Sequence, residues 1–228
     1  MRYLKFFLPV LLILSMVSSA HAIGSYPYYD QPVQNLVGSI SVAGGGIKAD
    51  GRYFDSGLVL NWEIAQAGDV WLYKYTFSSF TRPAISHFIL DLTDDCINPG
   101  DPKCIQGITQ TYGFGRYSGF APSNPGMPES ITGVKFEFGG EGPYTYIFSS
   151  DRPPVYGDFY IAGGIGSEFN RGYAYNTGID NHLSSYLIDF IPRPDGSNQV
   201  PEPAVLLLLG VGLVAVAIWG FRKRRKKT

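Results

Sequence analysis

The residues best suited to chemistry in this chain are carboxylates. Asp91, Asp94, Asp95 and Asp101, with Asn98 among them, crowd into one run that ends at Cys104. Hard oxygen donors at that density suit calcium, which takes about six to eight of them. The spacing is not that of an EF-hand loop, and turns also recruit Asp and Asn for their own backbone bonding. A second arrangement, two facing acids about 5–10 Å apart in a cleft, would serve glycoside cleavage. Glu63, Asp91, Glu137 and Asp158 are the candidates for it. Glu63 and Glu137 fall on the outward side of alternating runs, where surface charge belongs.

Nucleophilic catalysis finds less support. The three histidines are His21, His87 and His182, and His21 lies in the leader described below. His87 and Asp91 share one face of an extended run, but four residues of strand set them about 13 Å apart, too far for a hydrogen bond. His87 is therefore expected to be capped or at the surface. Gly44-Gly45-Gly46 is followed by no Gly-Lys-Ser/Thr and no helix, so it reads as a turn rather than a phosphate cradle. Tyr173, Tyr175, Asn176 and Asp180 offer rings and polar groups to a carbohydrate, although Gly/Asn/Tyr-rich stretches also serve as plain connections. No catalytic motif emerges, no cofactor is expected beyond the calcium candidate, and a non-catalytic role is the expectation.

The elements that must position these residues are strands. Leu58, Leu60, Trp62 and Ile64 alternate with Val59, Asn61, Glu63 and Ala65, Gly68-Asp69 supplies a turn, and Trp71, Tyr73, Tyr75 and Phe77 alternate in return. This pattern predicts an antiparallel hairpin with its aromatic row turned into a core. Ile131 to Phe138 and Tyr144 to Phe148, around Gly139–Pro143, predict a second hairpin. Further strands are expected over Val37–Ala43, Pro83–Leu92, Ile108–Tyr117, Val155–Ala162 and Ser185–Ile191. Ala121–Pro128 should be an exposed loop over one end, and Gly163–Asp180 a long loop. Eight or nine short strands and no helical period between Ile23 and Gln199 predict an all-β domain, an antiparallel β-sandwich or jelly roll.

Cys96 and Cys104 are the two cysteines. In an exported chain such a pair closes a small disulfide loop, the alternative being two free thiols. Between Ile23 and Gln199 there are 18 acidic and 10 basic residues, so the near-neutral whole hides an acidic middle. An acidic surface argues against nucleic acid as a partner.

Both ends read as addresses. Arg2 and Lys5 precede an apolar stretch from Phe6 to Val17, then Ala20 and Ala22 form an Ala-x-Ala site. This predicts a signal peptide over 1–22 cut by signal peptidase, with an uncleaved anchor as the alternative. The domain is expected over 23–191 and a Pro- and Gly/Ser-bearing linker over 192–200. After Pro201, Glu202 and Pro203, residues 204–221 carry no charge. As a helix they would be about 27 Å long, enough to cross a bilayer core of about 30 Å. Arg222, Lys223, Arg224, Arg225, Lys226 and Lys227 would then stay cytoplasmic and stop transfer.

Pro201-Glu202-Pro203, one apolar span and a terminal basic cluster, in that order, resemble the PEP-CTERM sorting signal of Gram-negative bacteria, over residues 201–228. The resemblance implies recognition at the inner membrane by an exosortase, a transpeptidase or protease that cuts near the motif. It implies release towards the cell surface or beyond, often where exopolysaccharide or biofilm matrix is made. Pro201, Glu202 and Pro203 would be the recognition element, and a plain C-terminal anchor is the alternative that the physics alone allows. Ile85–Leu92 and Pro154–Tyr160 resemble runs in other exported passengers of this class, a resemblance that brings no activity with it. The expectation is thus an exported, non-catalytic surface or matrix protein, with polysaccharide as a candidate partner. The alternatives are a glycan-active hydrolase or lyase and a calcium-stabilised adhesion module.

Overall fold

Alternation of buried and exposed side chains builds most of the elements in the computed structural model, which describes residues 28–79, 83–92, 96, 104–108, 111–138, 144–164 and 171–194. In chain order these are β1 (Val37–Ser41), β2 (Ile47–Gly51), a short helix α1 (Arg52–Ser56), β3 (Val59–Ala67), β4 (Val70–Ser78), β5 (Ile85–Asp91) and β6 (Thr111–Tyr117). They continue as β7 (Ile131–Glu137), β8 (Tyr144–Ser150), β9 (Pro154–Gly157), β10 (Phe159–Gly163), β11 (Gly172–Asn176), a 3-10 turn (Leu187–Asp189) and β12 (Ile191–Pro194). A four-stranded sheet has the order β1-β3-β4-β8 and a six-stranded sheet the order β2-β11-β10-β5-β7-β6, while β12 and β9 form a separate ribbon. Every strand pair is antiparallel. The all-β expectation holds.

The two larger sheets meet through aromatic rings. Phe77 lies 5.2 Å from Phe88, and Tyr146 lies 4.7 Å from Phe88 and 5.3 Å from Phe136, centroid to centroid. Rings from β4 and β8 thus press against rings from β5 and β7, the face-to-face packing of a sandwich. Each such side chain contributes about 1.5–3 kcal/mol by leaving water, and the tilted and edge-on pairs add to that. Two of the buried tyrosine hydroxyls reach backbone acceptors: Tyr73 donates to the Arg152 carbonyl at 2.8 Å and Tyr75 to the Pro192 carbonyl at 2.7 Å.

The first hairpin forms in the expected register, with Leu60 opposite Phe77, Trp62 opposite Tyr75 and Ile64 opposite Tyr73. The second does not form. β7 pairs with β5 and β6, whereas β8 pairs with β4. Alternation requires only that each strand bury one face; it does not say against which neighbour, and here the two strands belong to different sheets.

Four further expectations change. Gly163–Asp180 is not one loop, because Gly172–Asn176 is β11, held between β10 and β2. Its inward residues are Gly172, Ala174 and Asn176, which carry no apolar signal strong enough to read. Val155–Ala162 divides into β9 and β10, which belong to different sheets. In place of a strand over Ser185–Ile191 there is the 3-10 turn, with Tyr186 and Ile188 exposed and only Phe190 and Ile191 buried. The linker drawn from residue 192 starts inside β12, whose four residues are all buried. Pro192 and Pro194 lack an N–H, so the ladder donors of this strand are left to Ile191 and Arg193.

The loop over 118–130 covers the outer face of the six-stranded sheet rather than an end. Met127 and Asn124 are buried there, and Met127 joins Ile89, Ile131, Tyr160, Ala162 and Ile179 in a second apolar cluster. Gly126 has a positive φ, and a Cβ on it would collide with the Tyr173 ring. Glycine is what lets the loop lie so close.

Cys96 and Cys104 form the expected disulfide, with Cα atoms 5.5 Å apart and both side chains in the main core. Just beyond it Gln106 pairs with Ser149 on the free side of β8, so the cross-link fixes a cover over that strand edge. Replacing both cysteines by serine is expected to lower unfolding stability by about 2–3 kcal/mol in urea titrations, with the β-rich circular dichroism spectrum retained at zero denaturant.

Candidate functional site

Polar side chains with almost no access to water gather at one end of the six-stranded sheet, beside the β9–β12 ribbon. Asp91 ends β5, Asp158 sits between β9 and β10, Asn176 ends β11 and Arg193 lies in β12; all four are buried. The lead-in brings Tyr29 and Asp30, and the segment before the 3-10 turn brings His182 and Ser184. Burial of this kind costs several kcal/mol per charge unless each group finds partners. Here they do.

Arg193, only 1% exposed, is the centre. Its Nε lies 3.1 Å from Asp91 Oδ2, an ion-pair contact, and its Nη2 donates to Asp30 Oδ1. The guanidinium also sits over the Tyr29 ring at 5.5 Å. Space for the side chain comes from Gly157, where a Cβ would fall 2.1 Å from Arg193 Cδ. Tyr29 completes the triangle by donating its hydroxyl to Asp91 Oδ2 at 2.8 Å while its ring stacks on His182 at 4.0 Å.

Asp158 heads a second set. His182 Nε2 lies 2.7 Å from Asp158 Oδ2, and Asn176 Nδ2 donates to Asp158 Oδ1 at 2.6 Å. Asn176 also donates to the Asp189 carbonyl and accepts from the Phe159 N–H, both at 2.7 Å. Ser184 and Thr177 each donate a hydroxyl to the Asp189 carboxylate. The Ser184 hydroxyl is therefore turned towards Asp189 rather than towards the His182–Asp158 pair.

Electrostatics follow the partners. Burial raises the Asp91 carboxyl to about 6, although Arg193 beside it pulls the other way. The hydrogen bond to Asp158 raises His182 above the ordinary histidine value, against a smaller burial effect. Burial and then Asp91 hold the Tyr29 phenol far above its usual range. For Arg193, burial opposes the charge but Asp91, Tyr29, Asp30 and Asp158 outweigh it, so the guanidinium stays ionised.

The structure sorts the sequence candidates. Of the four acids considered for glycoside cleavage, Asp91 and Asp158 come together, joined also by the Asp91 N–H to the Asp158 carbonyl at 3.0 Å. Glu63 and Glu137 stay on outer faces, paired with Lys74 and Lys135. Asp91 leaves the calcium set, because its carboxylate faces Tyr29 and Arg193. Asp94, Asp95 and Asp101 lie outside the described residues. So do the leader with Ala20 and Ala22, Pro201-Glu202-Pro203, the apolar run 204–221 and the basic cluster Arg222–Lys227. Among the described residues no helix is long and apolar enough to cross a membrane.

Tyr173 and Tyr175 stand half-buried on the outer face of β11 with rings parallel to within 3° and 6.4 Å apart. Asp180 beside them pairs with Lys48 at 2.9 Å, whereas Asn176 is interior and structural. His87 is a correction. It is only 6% exposed, lies under the loop over 118–130 near Tyr160, and meets Ser86 Oγ through Nδ1 at 3.0 Å. The strand alternation placed it on the outer face, and a loop not readable as a cover closes over it. Nothing in the spacing foretold Arg193 or His182: the first sits in a Pro-Arg-Pro run that reads as tether, the second far along the chain from Asp158.

An all-antiparallel β domain followed by a short polar stretch, an apolar run and a basic end has the arrangement of an exported passenger with a C-terminal address. The family model of the PEP-CTERM protein-sorting motif matches residues 199–225. The chain therefore carries a PEP-CTERM sorting motif at 199–225, which implies export, a C-terminal sorting signal and processing by an exosortase. No curated protein and no solved structure matches it.

Two outcomes follow from the buried groups. Asn176→Ala would strip partners from Asp158, the Phe159 N–H and the Asp189 carbonyl at once, and should cost about 2–4 kcal/mol in urea unfolding at pH 7. For His87, burial and Lys135 lower the folded pKa to about 4, the Asn124 side chain only partly opposing them. The unfolded chain then takes up the proton first, so this residue's contribution is lost as pH falls from about 6.5 to about 4, by about 3 kcal/mol. Asp91 and His182, both raised, act in the opposite sense and firm the fold in acid. The stability difference between His87→Gln and wild type should therefore move in favour of the variant between pH 7 and pH 4.

Proposed function

We propose that the domain is a non-catalytic component of the cell surface or extracellular matrix, delivered by exosortase sorting and associated there with polysaccharide. The observation that carries this reading is the commitment of the two convergent acids. Asp91 is taken up by Tyr29 and Arg193, and Asp158 by His182 and Asn176. General acid–base work needs one acid holding a transferable proton and a second free to attack or to activate water. Acids tied into a permanent ion cluster suit cohesion instead.

The polysaccharide part draws on Tyr173 and Tyr175. Two parallel rings at this spacing offer flat apolar faces to sugar rings, and the Lys48–Asp180 pair at their edge offers groups to hydroxyls. The route to the surface runs through the inner membrane of a Gram-negative bacterium. Residues 204–221 anchor the precursor until the tail is removed.

The processing experiment compares mass and location of the chain with and without an intact Pro201-Glu202-Pro203. The wild-type product should start at Ile23, lack the tail and appear at the surface or in the medium. The triple alanine variant should stay in the inner membrane at uncut mass, and identical processing of the two would overturn the sorting reading. For the ligand, Tyr173→Ala with Tyr175→Ala should abolish retardation of the protein in gels containing the host's exopolysaccharide.

The convergence of Asp91 and Asp158 also favours one rival, a glycan-active hydrolase. Release of reducing ends from that polysaccharide by wild type, and not by Asp158→Asn, would establish it.

A further inference from the structure

Pro194 is the last described residue before Pro201-Glu202-Pro203, which lies within the sorting-motif match at 199–225. Seven chain steps span at most about 25 Å, so β12 is the strand through which the membrane tail is joined to the domain. That strand is poorly placed to resist a pull or a protease by itself. It has four residues and pairs only with β9 among the described residues, and an isolated two-stranded ribbon is marginal in water.

What fastens it comes from the side. The Arg193 side chain runs past Gly157 to Asp91 on the six-stranded sheet and to Tyr29 and Asp30 on the lead-in. The lead-in is itself tied to β9, by the Asp30 N–H to the Tyr156 carbonyl at 2.8 Å and the Tyr156 N–H to the Gln31 carbonyl at 3.0 Å. From the four-stranded sheet, Tyr75 donates to the Pro192 carbonyl. One buried guanidinium thus joins the tail-bearing strand to segments from the start and middle of the domain.

The geometry points to a latch. The Arg193 cluster holds β12 to the sandwich, so the domain keeps its last strand when the tail is pulled or cut. Proteolytic processing is thereby confined to bonds beyond Pro194. Proteases bind their substrates as extended, unpaired strand, and β12 is held paired and buried. This goes beyond exosortase sorting: it concerns where the folded domain ends, whichever enzyme acts.

The test uses the full chain in membrane vesicles with the domain facing the added protease, proteinase K, and reads fragment masses over time. Wild type should be cut after Pro194, leaving a stable fragment that includes β12. In Arg193→Lys, which loses the forked contact, and in Gly157→Ala, which fills the channel, cuts should appear within 182–194 at least tenfold faster. The fragment spanning β3 to β10 should persist in both. Unchanged cleavage sites and rates in both variants would overturn the latch. So would digestion of the whole domain in one step, which would make Arg193 an ordinary core residue. Because no exosortase takes part, failure here leaves the sorting experiment untouched.

Discussion

A guanidinium removed from water has to replace its hydration from inside the protein, and Arg193 replaces part of it by recruiting distant segments. Its partners arrive from the lead-in, from the end of β5 and, through Tyr29 and His182, from the neighbourhood of Asp158. Removing one member would leave a buried opposite charge unpaired, which is the costly way to break such a set. An apolar residue of similar volume would satisfy the same space without fixing which segments meet there. The ionic arrangement specifies the docking of lead-in and ribbon on the sheet; the apolar core supplies most of the free energy.

That core is unusual in its dependence on rings. Phe88, Phe136, Tyr146 and Phe148 form a continuous contact between the sheets, with Tyr73, Tyr75, Phe77 and Phe159 around them. Rings give large buried areas for few rotatable bonds, which suits a domain of short strands. The tyrosine hydroxyls serve a second purpose at the margins. Tyr75 and Tyr73 reach the ribbon and the turn before it, so the core and the polar cluster share a boundary.

How much of this was legible depends on what each strand exposes. β3 and β4 alternate strictly with large apolar residues and two turn residues between them, so both the elements and their pairing could be read. β7 and β8 alternate as clearly, yet their pairing went to other strands, because alternation encodes a buried face and not a neighbour. β11 presents glycine, alanine and a buried asparagine inward, and a small-residue strand between two others looks like a loop. β12 reads as a tether because its one informative residue is a charged side chain between prolines. Asp91 and Asp158 were legible as acids but not as partners, since their meeting depends on strand order that no local pattern carries.

The pairing order also dictates when the domain can close. Lys48 on β2 lies opposite Tyr175 on β11, and Thr76 on β4 opposite Thr145 on β8, so strands from the first part of the chain wait for strands made much later. Non-local pairings of this kind place folding in about the millisecond-to-second range, because chain closure must precede the reward of contact. β12 and the Arg193 side chain come last. With Pro201 only seven residues behind Pro194, the strand that completes the domain is made just before the sorting motif, so closure of the sandwich and arrival of the address fall together.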